Sequence, residues 1–539
     1  MCEYVNRKIR SILKIAVVFG ILFSGSLAEA KIFDVRSYGA VGNGETLDTQ
    51  AIQAAIDECT QAGGGIVCLS GGRFLSGTIY LKSNVALRIE AGAVLLGSKN
   101  LKDYPVTIAA LRSYTDNYTD KSLIYAEKVE NITLMGRGAI DGQGKSFKGP
   151  YKVRPYMIRL IECKNVTVED LTLRNSAMWG LHCLACENVT IDGISIHSKV
   201  NRNNDGIDID GCDKVRISNC EINSGDDAIV LKSTLDRVCR NITVTNCILS
   251  TNCNAFKCGT ESSGGFQNIT FSNSVIYDTG RAGITLQLVD GGVFDRVIVS
   301  NINMINVTSG IFIRLGNRAR PYLAKGPGGL KGTFTAPEGV KRPGMGSMSN
   351  IIISNVQAVG VSKIGCSITG LPDHPVENVT LENIRIRYEG GGSCEDAKRK
   401  IPEHPEKYPS CRMFGVLPAY GFFVRHAENV RFQHIDLAFE QDDHRPALIC
   451  DDVSQLKIFD FDAKSTASTQ AVIRFKNTDS VFIHGCQPQK TPTTFLRLEG
   501  KQSRNVVLMN NDFTQVRNVW QKAKEVKEDA VYSANNLNP

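Results

Sequence analysis

The chain has 539 residues, 42% of them hydrophobic and 22% charged, with a formal net charge of +7. That composition excludes a disordered chain, and so dilute a positive excess argues against nucleic acid as a partner while leaving a polyanionic ligand or an ordinary solvated surface equally open. The length would ordinarily divide into several domains, but internal repetition points to one long domain over residues 31–539.

Residues 1–30 read as a signal peptide. Arg7, Lys8, Arg10 and Lys14 precede the apolar run from Ile15 to Phe23, and Ala28-Glu29-Ala30 supplies a small-residue cleavage site. The run falls short of the roughly 18 residues of a membrane span, so an exported protein is expected, periplasmic or extracellular, with no membrane span. Loss of this leader removes four basic and two acidic residues and lowers the formal charge to +5.

Next, Asp48-Thr49 opens a segment running to Cys59 that reads as a capped helix, stopped by Gly63-Gly64-Gly65. A helix here would cover the open end of a coiled sheet, where apolar core and unpaired strands are otherwise exposed.

From Asn165 onward a short phrase recurs, a polar residue followed by an alternating apolar strand. It begins at Asn165, Asn188, Lys214, Asn241, Asn268, Arg296, Asn350, Asn378, Asn429 and Asn505, with first intervals of 23, 26, 27, 27 and 28 residues. The strands are short and β-branched, and no helical period separates them. A period of this size with this composition predicts an all-β solenoid, a parallel β-helix whose coils stack strand on strand. The recurrent Asn suits a left-handed turn position and needs no catalytic meaning. Two stretches break the period, near 317–347 and 390–420, and are expected to be long loops overhanging one face. After Asn511 the phrase is lost, and a loose or partly helical tail is expected.

The leader would carry off Cys2, one of 17 cysteines. Cys212 with Cys239 and Cys220 with Cys247 are 27 positions apart, one repeat, and so read as stacked core side chains. Cys59 with Cys68 and Cys394 with Cys411 are the expected disulfides. Cys183-Leu184-Ala185-Cys186 has no second ligand pair, so no zinc site, metal or cofactor is expected.

Two acidic clusters occupy matching points of successive repeats. Asp205-Gly206-Ile207-Asp208-Ile209 and Asp227-Ala228-Ile229-Val230-Leu231 align with an offset of 22, which stacks Asp205 against Asp227 with Asp226 one place earlier. Ile229 and Leu231 should face the core, leaving Val230 and Lys232 outside. Carboxylates this close repel, which spreads their pKa values and lets one site hold an acid and a base together. A calcium-filled turn is the structural alternative.

Tyr38-Gly39-Ala40 with Gly42-Asn43-Gly44, Ile140-Asp141-Gly142-Gln143-Gly144, Asn204-Asp205-Gly206-Ile207-Asp208, and Gly225-Asp226-Asp227-Ala228-Ile229 with Lys232-Ser233 resemble glycoside hydrolase family 28, the polygalacturonase group, from about residue 33 to at least 315. The resemblance implies a right-handed parallel β-helix that hydrolyses α-linked galacturonic acid with inversion, Asp226 as general acid, and Asp205 and Asp227 as the pair activating water. It implies a pectic poly- or oligosaccharide partner, and a monomer is expected.

Two family motifs are altered. Cys253-Asn254-Ala255 stands where the family has Gly-His-Gly, and Thr285-Leu286-Gln287 where it has Arg-Ile-Lys. Lys257 and Arg314, both outward by strand parity, are the expected substitutes to grip a sugar carboxylate; Asn204 and Asn254 complete the expected substrate contacts. Rhamnogalacturonan remains open as substrate beside homogalacturonan, as do a pectate-lyase-like reaction and a non-catalytic carbohydrate-binding solenoid.

Overall fold

The computed structural model describes residues 31–320 and 343–539, apart from 112, 114, 116, 117 and 490. The expected leader and positions 321–342 of the first loop lie outside the described residues. Every ladder between strands is parallel, and the chain winds as a β-helix with three strands per coil in its first half. One face carries Tyr156–Ile161, Leu181–Leu184, Ile207–Asp210, Ile229–Ser233 and Phe256–Ser262 in succession. A second carries Lys164–Glu169, Glu187–Asp192, Asp213–Ser218 and Cys239–Thr245. The third carries Thr172–Arg174, Ser195–Ser198, Glu221–Ser224 and Ile248–Thr251. No helix among the described residues is long and apolar enough to cross a membrane.

The ladder positions reproduce the sequence repeat. Val166 pairs Val189, Val189 pairs Val215, Val215 pairs Ile242, and Ile242 pairs Ile269. The intervals from Arg296 to Asn350 and from Asn378 to Asn429, 54 and 51 residues, are single coils lengthened by the loops, since Val297 pairs Ile351 and Val379 pairs Val430 directly. Inward Val, Ile, Leu and Phe of each strand form one continuous core along the axis.

All ten phrase-opening residues have φ between 52° and 59°, Lys214 and Arg296 included. Asn tolerates this region because its side chain bonds locally, and here it also bonds the Asn of the preceding coil: Asn165 to Asn131, Asn188 to Asn165 and Asn268 to Asn241, at 2.8–3.0 Å. Asn241→Ala keeps the strained backbone and loses rungs on both sides, to Asp213 and Asn268. We expect it to cost about 1–3 kcal/mol in the denaturant-unfolding free energy.

Helix α1 (Thr49–Gln61) buries Ile52, Ala55, Ile56 and Cys59 against the first coil. Gly63 follows it with a φ of 91°. Asp48 does not cap the helix as expected; its carboxylate instead accepts from the Val41 and Gly42 amides at 2.7 and 3.1 Å, tying down the preceding turn.

Two further expectations are corrected. Cys59, Cys68, Cys394 and Cys411 are all unpaired. Cys59 lies in the main core while Cys68 faces Arg88 and Glu90 outside it, so the thiols of the first pair point apart. The tail is also not loose, and its helical part is a single 3-10 turn, Glu528–Ala530: Val516–Lys522 and Val531–Ala534 pair with Thr491–Glu499 and Arg504–Met509, continuing the coils. Their faces are more exposed, which removed the alternating apolar signal. Cys212, Cys239, Cys220 and Cys247 are buried in the coil interior, as their spacing predicts.

Candidate active site

The ladder pairs Ile207 with Ile229 and Ile229 with Phe256, which sets Asp205, Asp227 and Asn254 on three consecutive coils. Backbone bonds fix the turn in front of them: the Gly206 amide donates to the Asp227 carbonyl at 2.9 Å and the Asp226 amide to the Asn204 carbonyl at 3.2 Å. The three aspartates therefore converge. Ser224 and Thr251 hydroxyls both donate to the Asp226 carbonyl, pinning the acidic turn from two coils.

Asp227 is held by three donors. Lys257 Nζ reaches its Oδ2 at 2.8 Å, while the Asn254 side-chain and backbone N–H groups reach Oδ1 at 2.7 and 3.2 Å. Burial opposes its ionisation, but the Lys257 and Lys232 cations and these bonds outweigh it and hold the carboxyl well below the usual carboxylate range. Asp226 is affected in the opposite sense. Burial raises its pKa, and the negative charge of Asp227 raises it further. One member of the pair is thus kept ionised and its neighbour inclined to hold a proton.

Asp205 lies deeper. Burial, then the Asp208 and Asp226 charges, push its pKa well up. Its Oδ1 and both oxygens of Asp208 are buried with no hydrogen-bond partner, an arrangement that calls for water or a ligand hydroxyl. Lys232 sits among them, its Nζ 3.9 Å from Asp205, 3.5 Å from Asp208, 3.7 Å from Glu261 and 4.5 Å from the Trp179 ring centroid. It balances part of the acidic charge and holds its proton more firmly than usual, because the Asp208, Glu261 and Asp205 charges outweigh the opposing effect of burial.

The other expected contacts are consumed within the protein. Asn204 is buried, donating to the Ser176 and Met178 carbonyls and accepting from the Asn201 amide, and so shapes the Asp205 turn. Asn254 and Lys257 hold Asp227. Arg314 points outward as parity predicts, but its guanidinium donates to the Gly370, Glu403 and His404 carbonyls at 3.1, 2.7 and 3.3 Å and so fastens the 390–420 loop over the face. Arg314→Met leaves those carbonyls without their charged donor, each such bond contributing about 1.5–3 kcal/mol. Limited proteolysis is expected to cut within 390–420 faster than in the parent.

That loop brings Tyr408 over the site, its hydroxyl 3.5 Å from Lys257 Nζ. Asp208, Glu261 and Tyr408 are site residues that the sequence did not assign. Alternation alone places Asp208 outward between Ile207 and Ile209. Glu261 escapes parity because the ladder slips between Leu231 and Ser233, and Tyr408 sits in a loop without periodicity. His182 and Trp179 are buried against Tyr156, consistent with packing roles.

Asp226, Asp227 and Cys253 could be read as a cation site, each presenting one ligand atom within 4.8 Å of the others. The chemistry of the set opposes it: both Asp227 oxygens are occupied, and burial pushes the Cys253 thiol far from the thiolate that a metal requires.

The family model for glycosyl hydrolases family 28 matches residues 72–406. The chain belongs to this family, whose members are glycosidases. It is 32% identical over 314 residues to a probable polygalacturonase of Vitis vinifera, a match that covers 52% of this chain and 62% of that protein. Over 440 residues it is 26% identical to an exo-poly-alpha-D-galacturonosidase of Dickeya chrysanthemi, covering 66% of this chain and 72% of that one. Among solved structures, the family 28 exopolygalacturonase of Yersinia enterocolitica superposes with a TM-score of 0.60 at 20% identity, covering 81% of this chain and 79% of that one. The exopolygalacturonase of Thermotoga maritima gives 0.59 at 20% identity, covering 76% and 92%. At such identity the structures speak for the parallel β-helix fold alone.

Proposed function

We propose that this chain hydrolyses an α-glycosidic bond of galacturonic-acid-containing pectic poly- or oligosaccharide by single displacement, attacking from a chain end. The observation that carries the reading is a carboxyl inclined to stay protonated, Asp226, beside one held ionised, Asp227. Asp226 gives its proton to the glycosidic oxygen as the anomeric C–O bond breaks. Water attacks the anomeric carbon from the other side, and its proton passes to Asp227, the carboxyl held ionised. Loss of that proton to solvent and reprotonation of Asp226 restore the site.

Inversion rests on the family resemblance; Asp227 accepts three hydrogen bonds, from Lys257 and Asn254, and keeps an acceptor site on Oδ2 for the water proton. Carboxyl spacing does not supply it: oxygens of Asp226 and Asp227 approach within 4.8 Å, closer than the roughly 6.5–9.5 Å usual for inverting pairs. The proposed water therefore sits toward Asp205, whose Oδ1 lacks a partner.

Attack from a chain end draws support from the 390–420 loop, which sets Tyr408 beside Lys257 and is fastened by Arg314 over the coils that follow the aspartates. A second reading, hydrolysis of rhamnogalacturonan, draws on Thr285 and Gln287. Where the resemblance implies cations, both are buried and neutral, bonded to Asn254 and Thr260. Export to the periplasm or beyond, and action as a monomer, complete the proposal.

Sizing the products from homogalacturonan and rhamnogalacturonan oligosaccharides tests it. Stepwise release of one small product from one polymer is expected. A ladder of all sizes would contradict chain-end attack, and products absorbing in the ultraviolet, the mark of an eliminated double bond, would contradict hydrolysis.

A further inference from the structure

The cations that line the carboxylate cluster are nearly all spoken for. Lys232 faces Asp205, Asp208 and Glu261; Lys257 binds Asp227; Arg314 binds loop carbonyls. Arg318 pairs with Asp290 at 2.8 Å and lies 3.8 Å from Glu261, and Arg320 is also 3.8 Å from Glu261. Arg154 donates to the Arg202 carbonyl and Asn203.

Arg281 differs. Its backbone amide donates to the Cys253 carbonyl, but its guanidinium makes no hydrogen bond and no ion pair among the described residues. It is half-buried, and its electrostatic neighbours are Cys253, Tyr408, Asp227 and Asp226, the reacting carboxyls themselves. It opens onto a cleft of about 440 Å³ lined also by Thr251, Asn252, Gly280 and Arg412. Asp278, on the outer rim, already accepts from Asn306 at 3.0 Å. Arg412 comes from the 390–420 loop and is held at the cleft by the Gly280 carbonyl at 2.7 Å and Thr308 Oγ1 at 3.3 Å.

A half-buried guanidinium with five donors and no acceptor is an incomplete arrangement. A carboxylate matches its fork, and a second arginine brought by the loop raises the local positive potential. We propose that Arg281, assisted by Arg412, binds the carboxylate of a uronic-acid residue flanking the scissile bond, and so sets the requirement for an acidic sugar that Thr285 and Gln287 cannot impose. This rests on the proposed hydrolase function and deepens it. It also reassigns the clamp from Lys257 and Arg314 to a residue four positions before the altered Thr285-Leu286-Gln287.

The test uses binding to the full chain carrying Asp226→Asn, whose turnover is expected to be about 10³-fold slower than the parent's, with digalacturonate and its dimethyl ester as probes. Tighter binding of the acid than of the ester is expected. Adding Arg281→Gln should weaken the acid by about 10- to 100-fold and leave the ester nearly unchanged, collapsing the preference. Arg281→Lys keeps the charge without the fork, and a partial preference is expected from it, as from Arg412→Gln. An unchanged acid-to-ester ratio in Arg281→Gln, or no preference for the acid in the parent, would overturn the inference. If Arg281→Gln unfolds, Arg281→Lys and Arg412→Gln carry the test, and an unchanged ratio in both overturns it. Turnover by the unmutated chain is read separately, so a binder of acid that fails to hydrolyse any pectic chain would sink the functional proposal and not the clamp.

Discussion

Asp226→Asn is expected to lower kcat by about 10³-fold, within the range for removal of a positioned acid, while KM and the unfolding midpoint change little. The substitution is nearly isosteric, and an amide oxygen can still accept the Asp227 backbone N–H that the Asp226 carboxyl accepts at 3.0 Å. What it cannot do is release a proton to a departing sugar oxygen. Steady-state kinetics alongside a thermal melt check this. A variant that retains a tenth or more of parental kcat would show that the proton comes from elsewhere.

The second large effect concerns Lys257. With Lys257→Met, Asp227 loses the 2.8 Å partner on Oδ2 and its largest source of charge stabilisation. Both groups are almost fully buried, so removing one partner leaves an uncompensated charge that costs about 3–5 kcal/mol. Asp227 escapes part of that cost by holding its proton to higher pH. In the parent its folded pKa lies below the unfolded value of about 3.9, so its contribution to stability is present above that pH and is lost as pH falls toward the folded value. In Lys257→Met that contribution disappears.

The activity profile should move accordingly. The acidic limb, where the base becomes protonated, shifts to higher pH, and kcat at its optimum falls by about 10²-fold or more. The alkaline limb belongs to Asp226, whose raised pKa means that activity declines as pH rises through it. Loss of Lys257 removes a cation that favours Asp226 ionisation, so this limb moves up as well. An unmoved acidic limb would contradict the assignment of Asp227 as the ionised member.

The fold was legible because one backbone requirement repeats. Each coil needs a left-handed residue where it turns, Asn meets that need most cheaply, and the interval between such residues is the length of a coil. The same register made the aspartate stack visible, since an offset of 22 residues in sequence is the actual ladder offset between Ile207 and Ile229.

What parity could not supply was the partner of each outward side chain. Lys257 and Arg314 do face outward, but one is bound by an aspartate on the previous coil and the other by a loop some 90 residues away in sequence. Asn204 looked like a contact by adjacency and turned inward because three neighbouring backbone groups needed it. Glu261 was hidden by a slip in register, and Tyr408 and Arg412 by a loop whose path no periodic pattern encodes. Cysteine spacing identified the stacked core thiols but wrongly paired Cys59 with Cys68, because nearness in sequence does not put two thiols on the same side of a strand.

The most direct measurement follows the anomeric proton of the newly formed reducing end by NMR during the first minutes of cleavage of an α-linked galacturonate oligosaccharide. The β anomer appearing first, and then relaxing to the equilibrium mixture, is the result expected if Asp226 gives the proton while Asp227 and Asp205 ready the water. The α anomer appearing first would mean double displacement, and the assignment of these three carboxyls would be wrong.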